Sequence, residues 1–186
     1  GIFFNATSVA IVSTCKTLFN YFPRSFFQTL NQTIFYEYTF LFANKKFENI
    51  KYNFKKHIKL ILIGVAIFTP VSIAFGPLIY KAWMSSRLDV NHSLIYLIIL
   101  IAICEIIFLV LTLPQKSVNQ FFKIIFLQFI MSVITLIISS YLFYLSLPFI
   151  TYFYIFLIFN MFLTVYTIFH VKNFFTLQFK IHNHEQ

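Results

Sequence analysis

Long apolar stretches separated by short polar ones dominate this chain. Three stretches are plainly long enough, as helices, to cross a bilayer core about 30 Å thick, which needs roughly 20 apolar residues. They are Leu60 to Tyr80, Leu94 to Leu113 and Phe149 to Phe169. A fourth, Ile124 to Leu147, is as long but is softened by Ser139 and Ser140. The pattern predicts a bundle of transmembrane helices.

The first 42 residues form a different kind of segment. From about Ile2 to Phe42 the chain is too long for one simple span and too polar for a helix that faces only lipid. Pro23 predicts a kink there, because proline removes a backbone donor and clashes with the preceding turn. We therefore expect an all-α polytopic bundle of about five transmembrane helices. Residues 1–176 would form one transmembrane domain, and residues 177–186 a cytoplasmic tail.

Composition supports a membrane protein and excludes an ordinary soluble domain. Hydrophobic residues make up 60% of the chain and charged residues only 10%, whereas soluble domains carry roughly 25% charge. Cys15 and Cys104 lie in apolar runs and match neither a disulfide framework nor a metal-ligand spacing. The chain opens on an apolar run without the features of a signal peptide. We expect it to be a fragment that starts within a longer protein.

The lysines are distributed unevenly between the predicted loops. The first loop, "NKKFENIKYNFKKHIK", has six, and the third, "LPQKSVNQFFK", has Lys116 and Lys123. In a five-helix arrangement these loops and the C-terminal tail fall on one side, opposite Lys81 and Arg87. Because cytoplasmic loops carry an excess of Lys and Arg, the pattern predicts a multi-pass membrane protein with the first and third loops and the C-terminus in the cytoplasm.

One polar face is predicted on the first helical segment. Its residues are spaced by four, four, four and three positions, which keeps them within an arc of roughly 120° on a nearly regular helix. They are Lys16, Asn20, Arg24, Gln28 and Asn31. Charges inside a membrane usually face a bundle interior or a watery cavity, often along a substrate pathway. The alternative is that Lys16 and Arg24 extend to the headgroups; the intervening amides favour a cavity.

Glu105 lies near the middle of "LIYLIILIAICEIIFLVLTL", where no other charge is present. Three interpretations stay open. It is the partner of a basic residue on another helix, Lys16 or Arg24, or a protonatable group coupled to transport. Otherwise it is a protonated hydrogen-bond donor with no functional part.

The second helix contains residues that loosen a transmembrane helix and are tolerated where neighbours satisfy the freed backbone. They are Gly64, Pro70, Gly76 and Pro77. These residues could form a hinge, or they could have no special role, and the sequence favours neither interpretation.

Signs of enzymatic chemistry are almost absent from the sequence. There is no Gly-rich phosphate loop, nucleophile elbow, His-Glu metalloprotease motif or carboxylate pair. His182, His184 and Glu185 lie close together in the tail, but no further metal ligand accompanies them. We expect no enzyme activity, no catalytic residue, no metal site and no cofactor.

Several features together resemble a known family. They are "KTLFNYF", then "IFYEYTFLFANKKFENIKYNFKKHIK", then a helix that ends "FGPLIYKAWM", then the run with Glu105. This layout resembles the C-terminal half of O-antigen and other polysaccharide flippases, of the multidrug, oligosaccharidyl-lipid and polysaccharide exporter superfamily. The resemblance implies a twelve-helix transporter of two six-helix lobes. The five helices here would be the last five of the second lobe.

The resemblance also implies a location in the cytoplasmic (inner) membrane and a function in surface polysaccharide synthesis, including that of lipopolysaccharide. A lipid-linked oligosaccharide would move from the cytoplasmic to the outer leaflet by alternating access, without ATP hydrolysis in this chain. The face from Lys16 to Asn31 would bind its polyprenyl pyrophosphate and sugar headgroup, because basic groups attract phosphate strongly in low dielectric and amides hydrogen-bond hydroxyls. The expected partners are this lipid-linked oligosaccharide, the lipid bilayer and the missing N-terminal half of the same protein, and no nucleic acid.

Two other classes of protein stay open. The chain could be a structural subunit of a membrane complex, with its polar face packed against partner subunits. It could also be a membrane-embedded glycan polymerase or acyltransferase, although the loop "KAWMSSRLDVNH" offers only Arg87, Asp89 and His92 for catalysis. The sequence favours the flippase, then the subunit, then the enzyme.

Overall fold

The computed structural model describes residues 6–84 and 90–184, with side chains described as far as residue 177. The described residues are helical with no strand, which confirms the predicted all-α bundle. The helices are α1 (Ala6–Lys16), α2 (Phe22–Ala43), α3 (Phe47–Trp83), α4 (His92–Leu111), α5 (Leu113–Ser117), α6 (Phe122–Tyr144) and α7 (Ile150–His184). Within the described ranges, α3, α4, α6 and α7 are long and apolar enough to cross a membrane.

The predicted first segment is two helices joined by a π-helical turn, Thr17–Tyr21. Pro23 follows this turn directly, at the start of α2. Pro23 has no N–H to donate to the carbonyl four residues back, and its ring crowds that carbonyl. The turn is wider here: the Phe22 N–H donates to the Thr17 carbonyl, five residues earlier. The irregularity predicted at Pro23 is therefore a π-turn on its N-terminal side.

The predicted first loop, from Asn44 to Lys59, is mostly helix, and the prediction of a loop was wrong. The turn is confined to the residues before Phe47, where α3 begins. Ile50 and Phe54 are buried against the core while the lysines around them are exposed. This spacing makes an amphipathic helix, and lysine is a good helix former. Helix also replaces a predicted irregular segment near the C-terminus, because α7 continues past the predicted tail boundary at residues 176 and 177.

Helix α4 lies at the centre of the bundle and packs against α2, α3 and α7. Half of its length is buried, including fully enclosed residues such as Ile95, Ile99 and Ile106. A helix that is apolar all round is expected to be buried on all sides. The short helix α5 is held against α7 by a 2.7 Å hydrogen bond between Gln115 Nε2 and His170 Nδ1.

The lysine-rich segments meet at one end of the bundle, which we call the basic end. Leu41, Ile50, Leu113 and Val171 pack there in one cluster, so the α2–α3 turn, α5 and the later part of α7 are neighbours. Tyr38 Oη and His57 Nδ1 are 2.8 Å apart in the same region. The sequence placed these segments on one side of the membrane, and that grouping is confirmed. Their cytoplasmic orientation stays a prediction.

Candidate functional site

A charged pair joins α2 to α4 in the interior of the bundle. Arg24 Nη1 donates to Glu105 Oε2 at 2.9 Å, and Asn20 Nδ2 donates to the same oxygen at 3.3 Å. The Arg24 side chain is 38% exposed and that of Glu105 only 18%. Of the partners considered for Glu105, the structure shows Arg24 and not Lys16. Arg24 does not extend freely toward the headgroups but is held by a carboxylate.

Local backbone geometry explains how these three side chains come together. Asn20 belongs to the π-turn and is buried, and Arg24 comes one residue after Pro23. A π-turn contains one residue more than an α-helical turn. The residues before it and those after it therefore do not share the faces that regular α-helical spacing would give them. On α4, Glu105 precedes the fully buried Ile106. The carboxylate is therefore fixed by the best-packed helix of the bundle.

Arg24 and Glu105 line a cavity of about 260 Å³ that α6 and α7 close on the far side. We call it the central cleft. Lys116 lies at one edge and Asn160 of α7 forms part of the wall. Most of the remaining lining is apolar, with Phe and Leu side chains. Such a mixture of apolar walls and a few convergent polar groups is typical of ligand sites.

A polar stripe on α6 faces this space and was missed in the sequence analysis, which treated its serines only as interruptions. Gln128, Ser132 and Thr135 line the central cleft. Ser139 and Thr135 line an adjoining cavity of about 180 Å³. The spacings of four, three and four residues place the stripe within an arc of about 60°. That helical spacing was the available signal.

Lys16 lies apart from the ion pair, in the adjoining cavity with Ser139 and Tyr152. Its Nζ is 5.8 Å from the centroid of the Phe156 ring, within the range of a cation–π interaction. Because Phe156 also lines the central cleft, Lys16 is next to that cleft without contacting Glu105.

Gln28 and Asn31 line a third cavity, of about 310 Å³, together with Gln32 and Lys116. Asn31 is only 5% exposed, and no described group lies within hydrogen-bond distance of its amide nitrogen or oxygen. A buried amide left unsatisfied costs about 1–3 kcal/mol.

Lys116 borders both the central cleft and the Asn31 cavity. Burial lowers the pKa of this amine from its ordinary value, and the nearby positive charge of Arg24 lowers the pKa further. An anion bound between Lys116 and Arg24 would offset the repulsion between the two cations and favour the protonated amine. Four of the five residues of the predicted polar face thus divide among three neighbouring cavities that share lining residues. The fifth, Asn20, is buried and lines none of them.

The four predicted hinge residues all lie within one continuous helix, α3. A Cβ on Gly64 would come within 3.0 Å of the Phe27 ring, and one on Gly76 within 3.2 Å of Ile95 Cγ2. Both glycines therefore allow α3 to approach its neighbours closely. Pro70 and Pro77 lie in the same helix, and a hinge role for the four stays a prediction.

Comparisons with protein-family models, with curated proteins and with solved structures give no match to this chain. Among the described residues, no three side chains of the types that bind metals come together. What can be said about function therefore depends on the chemistry of the cleft itself.

Proposed function

We propose that the chain is part of a membrane transporter, a flippase that moves a lipid-linked oligosaccharide across the bilayer with its pyrophosphate bound in the central cleft. One observation carries the proposal: an Arg–Glu pair joins two helices of an apolar bundle and borders a cleft whose opposite, mainly apolar wall carries a stripe of polar residues. Charged side chains at membrane depth are costly and commonly mark substrate pathways. The resemblance to polysaccharide flippases supplies the class of cargo.

The cleft has the groups that such a headgroup requires. A guanidinium has five N–H donors in a planar fork that matches phosphate oxygens, and the structure shows one Arg24 nitrogen, Nη1, bound to Glu105. Lys116 supplies a second cation at the same cleft. Sugar hydroxyls would find amide and hydroxyl partners on α2 and α6, among them Gln28, Gln128 and Ser132.

In the proposed mechanism, Glu105 competes with the cargo for Arg24. When phosphate enters the cleft, it takes over donors of the guanidinium, and Glu105 retains its hydrogen bond from Asn20. When the carboxylate returns to Arg24, the phosphate is released. Alternating access, the second lobe that completes the pathway and the cytoplasmic membrane as the site of action are parts of the same proposal.

A structural subunit is the second candidate, and α6 supports it. Of the 23 residues in this helix only Ile124 is buried, so a partner subunit could cover the rest. The polar stripe favours the transporter instead, because Gln128, Ser132 and Thr135 line the cleft within this chain. For the enzyme alternative, Arg87 and Asp89 lie outside the described residues, and His92 begins α4.

The test is complementation of a bacterial strain that lacks its own flippase by the complete protein. Surface glycan would be compared at matched protein levels in the membrane. Arg24→Gln should lose most export, and Arg24→Lys should keep part of it, because lysine retains the charge but not the fork. Lys56→Gln, an exposed lysine of α3, is the matched control and should be normal. Near-normal glycan with Arg24→Gln would contradict the proposal.

Glu105→Gln separates the exchange mechanism from a merely structural pair. The amide keeps the shape and loses the charge, so it competes poorly for Arg24. We expect tighter retention of the cargo together with reduced export. Unchanged export would return Glu105 to a structural role.

A further inference from the structure

A groove of about 800 Å³ runs between α3 and α7 at the basic end, away from the central cleft. Four lysines surround its mouth, and its lining residues include no carboxylate. The lysines are Lys51, Lys55 and Lys59 of α3 and Lys172 of α7. The inner wall is aromatic: the rings of Phe54 and Phe175 have centroids 5.0 Å apart. The groove thus combines a strongly cationic mouth with an apolar interior.

The three lysines of α3 recur at every fourth residue and share one face of the helix. Like charges four residues apart repel one another on a helix. The same face continues into Leu62, Ile63 and Ala66, which line the other end of the groove. A bound anion would relieve the repulsion at one end, and an apolar chain would cover the other.

The position of the groove along α3 matches the layers of a bilayer. The apolar stretch from Leu60 to Tyr80 spans about 30 Å as a helix, the thickness of the hydrocarbon core. Lys59 then stands at the edge of the core, with Lys55 about 6 Å further out among the headgroups. Ala66 lies about 9 Å inside the core. The cations are at phosphate depth and the apolar lining is at acyl-chain depth.

We propose that this groove binds one anionic phospholipid, with its phosphate among Lys55, Lys59 and Lys172 and one acyl chain along Leu62 and Ala66. Basic pockets between transmembrane helices are suited to anionic headgroups. The apolar lining formed by Leu62, Ile63 and Ala66 favours a phospholipid over a soluble phosphate, because a soluble phosphate would contact only the lysines. The groove includes no residue of the central cleft, so the inference is independent of the proposed transport function.

The experiment uses the full chain, purified and delipidated in detergent, with retention of lipid measured by native mass spectrometry. The probes are phosphatidylglycerol and phosphatidylcholine with the same acyl chains, and soluble glycerol phosphate as a competitor. The wild type should retain phosphatidylglycerol at least about 10-fold more tightly than phosphatidylcholine. Glycerol phosphate should displace neither.

Two variants test separately the contributions of the lysines and of the apolar lining to lipid retention. Replacing Lys55, Lys59 and Lys172 by Gln should lower retention of phosphatidylglycerol to that of phosphatidylcholine. Ala66→Trp should weaken retention with the charge unchanged, because the indole fills the space of the acyl chain. In the charge-matched control, Gln replaces Lys46, Lys56 and Lys123, which do not line the groove. This control should retain phosphatidylglycerol as the wild type does.

Three results would overturn the inference. The first is equal retention of both lipids by the wild type. The second is an equal loss in the groove variant and the charge-matched control, which would indicate nonspecific attraction. The third is displacement of phosphatidylglycerol by glycerol phosphate together with a normal Ala66→Trp variant, which would indicate a site for soluble phosphate.

Discussion

Helices α4 and α6 are similar as sequences and opposite as parts of the structure. Both are about the length of a membrane span and almost wholly apolar. Ten residues of α4 are buried, whereas Ile124 is the single buried residue of α6. The single charge of α4, Glu105, is held by side chains of the protein. Helix α6 has one charge, Lys123, in its first turn, and its uncharged residues Gln128, Ser132 and Thr135 line the cleft.

The difference shows that the two helices satisfy their polar side chains in different ways. An ionised carboxylate needs partners from other helices. Hydroxyl side chains can instead bond their own helix. Ser132 Oγ donates to the Gln128 carbonyl at 2.8 Å, and Thr135 Oγ1 donates to the Met131 carbonyl at 2.7 Å. Helix α6 is therefore free to stand at the edge of the bundle and still present a polar stripe.

The largest expected effect comes from removing the charge partner on α4. Glu105→Leu should lower the free energy of unfolding by about 1–2 kcal/mol, because it leaves the partly exposed Arg24 cation without its counterion. Ser132→Leu on α6 should change it by less than about 0.5 kcal/mol. Thermal unfolding in detergent measures both. The double variant Arg24→Leu/Glu105→Leu should recover most of the stability that Glu105→Leu loses. If Glu105→Leu and Ser132→Leu lowered the free energy of unfolding equally, the contrast between α4 and α6 would be wrong.

The close packing of α4 against α3 should produce the next largest effect. Gly76→Ala places a methyl group 3.2 Å from Ile95 Cγ2, and Ile95 is fully buried and cannot move aside. We expect a net cost of about 1 kcal/mol, since overpacking outweighs the gain in helix propensity. Ala74→Val adds more volume on the exposed side of α3 and serves as control. If Gly76→Ala and Ala74→Val lowered the free energy of unfolding equally, α4 would be less tightly packed against α3 than the structure shows.

Accessibility of α6 to water should distinguish its two faces in the membrane. In a background without Cys104, a cysteine at Ser132 should react with a hydrophilic thiol reagent several-fold faster than one at Val133. The first lines the cleft, and the second is exposed on another face of the helix, where lipid would cover it. Equal rates at the two positions would contradict a hydrated cleft.

Lys116 should give the smallest effect. Burial and the charge of Arg24 lower its pKa, so the unfolded chain binds this proton more tightly than the folded one. Stability of the wild type relative to Lys116→Met should therefore rise as the pH is raised toward 10.5, the ordinary pKa of lysine. At neutral pH we expect Lys116→Met to be more stable by up to about 0.5 kcal/mol. A less stable variant would mean that Lys116 is well paired.

Much of the fold was predictable from the sequence, because the length and polarity of a membrane helix are dictated by the bilayer. Within the part of the chain that the structure describes, four of the five predicted spans are long and apolar enough to cross a membrane, and the first predicted segment is not among them. The irregularity near Pro23 followed from the chemistry of proline, and the grouping of the lysine-rich segments followed from their uneven distribution. The extent of α3 was not predicted, because six lysines suggested a loop. Their spacing around Ile50 and Phe54 is helical, and the packing of those two residues decides the outcome.

The candidate site was predictable in its residues more than in their arrangement. Lys16, Asn20 and Arg24 were placed on one face by regular helical spacing. The π-turn between Lys16 and Phe22 alters that spacing, and Lys16 lies beside Phe156 while Asn20 and Arg24 bind Glu105. The participation of α6 depends on which helices adjoin the cleft, and that is a property of the whole bundle.

The central claim is that the Arg24 side of the cleft binds an anionic headgroup, and binding of a polyprenyl pyrophosphate to the purified protein tests it most directly. We expect saturable binding that Arg24→Gln weakens at least about 10-fold, by the loss of a charged hydrogen bond in low dielectric. Replacing Lys55, Lys59 and Lys172 by Gln should leave this binding intact, since those residues lie at the other groove. Equal affinity of the wild type and Arg24→Gln would contradict the account.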